Sequence, residues 1–190
     1  MDFLDFNEAW TSLGPLKVIR LETSTDEAFR PGIEDSDDLV IFDIMGTTPD
    51  ADAIPLEIPA DRAADALEAI VHKLHLAPLI LFPIGRWRNV IDAISFELAE
   101  NEAWQELDSS SIVALNTHDP LMCEPQDLHL VHDILACIMK VGENPLQGVT
   151  LAALGKPLLI CAEPPGNLRI ELGRESLAAE VRELLDQFTV

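Results

Sequence analysis

Positive charge is scarce in this sequence: 190 residues carry 12 Lys plus Arg against 34 Asp plus Glu, for a formal net charge of −22 and a pI near 4.3. Binding to nucleic acid or to an anionic membrane begins with cations displacing counterions, so neither is expected as a partner. A protein that imitates nucleic acid toward a basic partner stays compatible with the charge. Long apolar runs are also missing. The longest, Leu76 to Ile84, has nine residues, two of them prolines, where a bilayer span needs about 20. The start, Met1-Asp2-Phe3-Leu4-Asp5, is acidic where a secretory leader is basic, so no leader is expected. Three cysteines, Cys123, Cys137 and Cys161, form an odd set without a CxxC pair, which suits reduced thiols in the cytoplasm better than a disulfide framework. No GxSxG, Gly-rich phosphate loop or dinucleotide fingerprint occurs, so no complete catalytic set is in view and no cofactor is expected.

What is present is enough apolar material to fold. The apolar fraction is 48% and the mean hydropathy +0.16, values that separate this chain from acidic disordered tails. A chain of this length is expected to form one domain, residues 1–190, with its own core. Leu16 to Glu22 and Leu39 to Met45 are bounded by turn formers and read as strands, with a polar loop from Thr23 to Asp38 between them. Ile54 to Ile58, interrupted by Pro55, reads as an edge strand. Apolar spacings of three and four predict helices over Ala60 to Leu74, Asn89 to Glu106, Pro125 to Val141 and Arg174 to Phe188. Leu79 to Ile84 reads as a strand buried on both faces and Ile112 to Asn116 as another strand. Val149 to Leu154, Leu158 to Glu163 and Leu168 to Leu172 are joined by short turns and predict an antiparallel meander before the last helix. The expected class is mixed α/β: a central mixed sheet of about six or seven strands with flanking helices. A faint βββα echo relates residues 16–75 to 149–188, although shared patterning alone produces such likeness.

The stretch Val40-Ile41-Phe42-Asp43-Ile44-Met45-Gly46-Thr47-Thr48 resembles the first motif of haloacid-dehalogenase-type phosphatases. The resemblance spans nine residues and implies Asp43 as a nucleophile forming an aspartyl-phosphate. Met45 stands where most of that family's phosphatases carry a second Asp, and no adjacent acidic pair closes the C-terminal strands.

The loops after the two central strands form a second constellation. Gly85-Arg86-Trp87-Arg88-Asn89 and Asn116-Thr117-His118-Asp119-Pro120 would open on one sheet edge if those strands ran parallel. Arg86, Arg88, His118 and Asp119 would then converge beside helix N-termini, a setting suited to an anionic ligand. A metal reading draws on His118, Asp119, Cys123, His129 and His132. On the helical wheel, however, His129 faces away from the core and His132 lies at its boundary, so a site there needs another segment to cover it. No metal ligand or catalytic residue is therefore assigned. Finally, residues 21–70 hold 14 acids and 2 bases, a net of −12 and more than half of the total. The leading expectation is a non-enzymatic interaction or regulatory module that presents this acidic region to a basic protein or acts in a homo-oligomer. The alternative is a protein that binds an anionic small molecule at Arg86, Arg88, His118 and Asp119. An Asp43-dependent phosphatase remnant comes third.

Overall fold

The computed structural model describes residues 1–23, 25–44 and 52–189. The chain runs β1 (Asp2–Phe3), α1 (Phe6–Leu13), β2 (Val18–Arg20), β3 (Pro31–Ile33), β4 (Val40–Ile44) and β5 (Ile54–Leu56). It continues with α2 (Ala60–Lys73), β6 (Leu79–Pro83), α3 (Trp87–Ile94), α4 (Glu102–Ser110), β7 (Leu121–Cys123) and α5 (Leu128–Val141). The end is β8 (Val149–Ala153), β9 (Leu158–Glu163), β10 (Asn167–Leu172) and α6 (Glu175–Leu185).

Eight strands form one mixed sheet in the order β1-β7-β6-β8-β9-β10-β4-β5, and β2 pairs with β3 in a separate two-stranded sheet. Among the described residues only β4 and β5 pair in parallel. The expected mixed α/β class and the β8–β9–β10 meander are present, with a larger sheet than the sequence suggested. Alternation along each strand sorts its side chains onto two faces. Leu79 and Leu81 of β6, Leu151 of β8, Ile160 of β9 and Ile170 of β10 join a core built with the helices. Ile80, Phe82, Ala152 and Leu159 face the other way, onto a second core made with Ala9, Leu13, Val18, Phe29 and Ile33. Helices thus cover one face, while α1 and the β2–β3 hairpin cover part of the other. Among the described residues no helix is long and apolar enough to cross a membrane.

Several boundaries depart from the sequence reading. The expected strand over 16–22 shrinks to β2 and leaves the central sheet. The expected loop over 23–38 contains β3, because Pro31 and Gly32 occupy a strand rather than a turn. A Cβ on Gly32 would lie 2.6 Å from the Leu21 side chain, which would have to shift to admit it. The expected helix over 89–106 is two helices, since the Asn101 side chain caps α4 by accepting the Trp104 N–H at 3.1 Å. The two ends that echo each other differ in strand number and sheet pattern: within 16–75 four described strands, with the parallel β4–β5 pair, precede α2, and within 149–188 three strands in an antiparallel meander precede α6.

The largest departure concerns 112–116. These residues are not a strand; a 3-10 turn covers Ser111–Val113, with Ile112 and Val113 72% and 87% exposed. β-Branched residues favour strands only where neighbours pack on them, and here the chain end of α4 turns outward. Ile112→Ser and Val113→Ser should each change the unfolding free energy in urea by no more than about 0.5 kcal/mol. A loss of about 2 kcal/mol or more, the signature of a buried apolar site, would contradict this placement.

Candidate functional site

β6 ends at a tight corner. The Ile84 N–H donates to the Gly148 carbonyl at 2.9 Å, Gly85 N–H to the Leu146 carbonyl at 3.1 Å, and Phe29 N–H to the Ile84 carbonyl at 2.6 Å. A Cβ on Gly85 would meet the Leu146 carbonyl oxygen at 2.5 Å, so only glycine lets these segments approach. α3 starts immediately afterwards, with Trp87, Val90, Ile91 and Ile94 buried on its inner side.

The segment 115–119 is tied to this corner by four hydrogen bonds and braced by a fifth of its own. The Arg88 N–H donates to the Leu115 carbonyl at 2.8 Å. Arg86 Nη1 reaches the Asn116 carbonyl at 2.7 Å, and Arg88 Nε reaches Asn116 Oδ1 at 3.2 Å. Trp87 Nε1 donates to the Asp119 carbonyl at 2.7 Å, and the Asp119 N–H to Thr117 Oγ1 at 3.2 Å within the segment itself. The two loops meet as expected, but not for the expected reason: β6 is flanked by antiparallel β7 and β8, and the second loop follows a 3-10 turn. The helix terminus is also less open than expected. Asn89 Oδ1 takes the Arg86 N–H at 2.9 Å, and the Arg88 and Asn89 N–H groups are bonded to the Leu115 and Arg86 carbonyls.

What stays available at the corner is side-chain charge. Arg86 and Arg88 are exposed and His118 and Asp119 half-buried. Arg20, which sequence reasoning missed, joins them: its guanidinium lies 5.5 Å from the centre of the Phe29 ring, which is 6.0 Å from the His118 ring. Burial lowers the pKa of His118 below its ordinary 6.5, and the guanidinium groups of Arg86 and Arg20 lower it further against the opposing pull of the Gly85 and Pro83 carbonyls. Its Nδ1 is buried without a hydrogen-bond partner. Among the described residues Arg30 pairs with Glu163, Arg169 with Glu171 and Arg182 with Asp186; the other five arginines make no ion pair, and three of those five, Arg20, Arg86 and Arg88, gather at this corner. A cleft of about 660 Å³ adjoins the corner through Ile84 and Asn89 and is also lined by Arg30 and Glu163.

The other sequence candidates scatter. Cys123 is buried, and its thiol is pushed up to about 12 by burial, with Asp127 adding to the effect. His129 faces outward on α5, and His132 turns toward α2. Asp43 is 8% exposed, directly opposite Arg169 of β10 and Pro55 of β5. The remainder of its motif, Met45-Gly46-Thr47-Thr48, lies outside the described residues. Glu34, Asp35, Asp37 and Asp38 are exposed on the connection between β3 and β4. Comparison with protein-family models, with curated proteins and with solved structures finds no match.

Proposed function

We propose that this protein is a binding module for a small anionic molecule, held by its oxyanion at Arg86 and Arg88, with His118 and Arg20 alongside and the rest of the ligand in the adjoining cleft. The observation that carries the reading is the gathering of three arginines without carboxylate partners at one corner beside His118, in a chain with a 22-charge excess of acids. With 34 carboxylates available, guanidinium groups left facing solvent retain donors for a planar oxyanion. Net negative charge does not prevent this, because distant acids are screened beyond about 8 Å at physiological salt. Asp119 contributes through its backbone, which fixes Trp87 and hence the spacing of the two arginines.

Titrating the protein with pyrophosphate and with citrate by calorimetry tests the reading. Arg86→Ala should weaken binding of the preferred anion by about 10-fold or more, in line with the loss of one charge-assisted hydrogen-bonded group, and Arg88→Ala should weaken it less. Absence of binding by both probes at millimolar concentration, or equal affinity in the double variant, would refute it. The pH dependence has a defined sign. A lowered folded pKa means that the stability His118 contributes is present above its ordinary value of 6.5 and is lost as pH falls through the folded value. A bound oxyanion favours the imidazolium, so affinity should be higher at pH 6 than at pH 8, and His118→Gln should flatten that difference.

A second reading rests on the exposed Glu34, Asp35, Asp37 and Asp38: this loop docks a basic protein. Such binding should weaken steeply with salt and fail when the four are neutralised.

A further inference from the structure

His132, a member of the metal-type cluster in the sequence, faces carboxylates of a second helix. Its Nε2 lies 3.0 Å from Asp65 Oδ1 on α2, and donor atoms of Asp65, Glu68 and His132 all fall within 4.8 Å of one another. On α2, Asp65 and Glu68 are one turn apart and His72 follows a turn later, its Nε2 3.5 Å from Glu68 Oε1. The same face of the two helices is sealed underneath by Ala64, Leu67, Val131 and Leu135. We propose that Asp65, Glu68 and His132 form a Zn²⁺-class divalent metal site bridging α2 and α5, with His72 beside it and water in the open positions.

Three features carry this. First, the donor set is one imidazole nitrogen with two carboxylates, a mixture that suits zinc and its first-row neighbours better than Mg²⁺ or Ca²⁺, which prefer oxygen alone. Second, His132 Nε2 and Asp65 Oδ1 lie 3.0 Å apart and need to part by only a few tenths of an ångström to reach the roughly 3.3–3.6 Å between tetrahedral ligands about 2.0–2.2 Å from zinc. Small rotations of the exposed Asp65 and the half-buried Glu68 complete the set. Third, the other ring nitrogen is already held from behind. His132 Nδ1 is 3.3 Å from Asp133 Oδ1, and Asp133 Oδ2 accepts a hydrogen bond from Asn101 Nδ2 at 2.9 Å. A carboxylate behind a ligating histidine fixes ring orientation and raises basicity, the usual outer partner of a metal-bound imidazole. Asp133 is therefore assigned as a positioning residue.

The experiment is calorimetric titration of the untagged full chain with ZnCl₂ in about 10 mM Mg²⁺, which occupies unspecific acidic sites. One equivalent of Zn²⁺ should bind. His132→Ala should weaken binding by about 30-fold or more, and Asp133→Asn by about 10- to 100-fold, the range for outer-shell partners. Asp65→Asn should weaken it by about 10-fold; this side chain is 60% exposed, so the variant keeps its fold, and circular dichroism verifies that for all three. Neutralising Glu34, Asp35, Asp37 and Asp38 together, or replacing Cys137 with alanine, should leave the affinity unchanged. Three results would each overturn the proposal: no Zn²⁺ bound in the presence of Mg²⁺, wild-type affinity in His132→Ala, or loss of binding in Cys137→Ala. Pyrophosphate titration of His132→Ala keeps the anion reading separate, because that variant should bind the anion normally.

Discussion

Trp87→Ala is expected to lower the unfolding free energy by about 3–5 kcal/mol, the range for removing a large buried aromatic. Trp87 is 1% exposed and heads the largest fully buried side chains. Its ring meets Phe3 edge-on, with centroids 5.8 Å apart at an interplanar angle of 86°, so the side chain joins α3 to the N-terminal strand. Its indole N–H also satisfies the Asp119 carbonyl at 2.7 Å. Trp87→Phe separates these two contributions. Phenylalanine keeps most of the apolar burial but leaves that carbonyl without its donor, a loss of about 1–2 kcal/mol. Urea unfolding of both variants measures the difference. Because the same hydrogen bond helps hold 115–119 against the arginines, Trp87→Phe should also weaken pyrophosphate or citrate binding while remaining folded. A loss below about 1 kcal/mol for Trp87→Ala would show that the corner is not locked as described.

Glu171→Ala is the second large effect, expected to cost about 3 kcal/mol. Glu171 is 6% exposed in β10. One carboxylate oxygen accepts the Ile33 N–H at 2.8 Å, and the other lies 3.0 Å from Arg169 Nε. It therefore fastens the β2–β3 hairpin to a sheet face that carries Asp43, Arg169, Cys161 and Thr150 directly opposite one another on neighbouring strands. Truncation leaves a buried N–H without an acceptor and removes a carboxylate from a half-buried guanidinium. Glu171→Gln retains an acceptor for Ile33 and should cost less than half as much. Glu34→Ala, on an exposed loop, should fall within about 0.5 kcal/mol of the wild type. Equal unfolding free energies for Glu171→Ala and Glu34→Ala would refute the anchoring role.

These two residues differ in how visible they are in the sequence. Trp87 stands between two arginines after a glycine, so its neighbourhood draws attention, and the meeting of 85–89 with 116–120 was expected. The expected cause was a pair of parallel strands; the actual one is a set of backbone and side-chain hydrogen bonds between a helix start and an irregular segment. Glu171 gives no signal at all. It sits at an inward position of a strand whose alternation, Leu168, Ile170, Leu172, marks only the opposite face. Arg20 was invisible for a related reason: it belongs to a short strand outside the main sheet, and only the fold of the hairpin brings Phe29 and His118 beside it. The partnership of His132 with Asp65 crosses 67 residues, and helical spacing on α5 alone could place His132 only at a boundary.

The class of fold, the helices α2, α5 and α6, the buried strand β6, the C-terminal meander and the concentration of acid in residues 21–70 are legible in the sequence alone. These follow from local periodicity, in which spacings of two or of three and four residues decide which side of an element avoids water. Tertiary structure alone decided that 112–116 lies exposed, that Pro31-Gly32-Ile33 is a strand, which arginines lack carboxylate partners and which carboxylates His132 faces. Those outcomes depend on contacts between segments far apart in the chain, where packing and hydrogen-bond satisfaction override the local preference of any single residue.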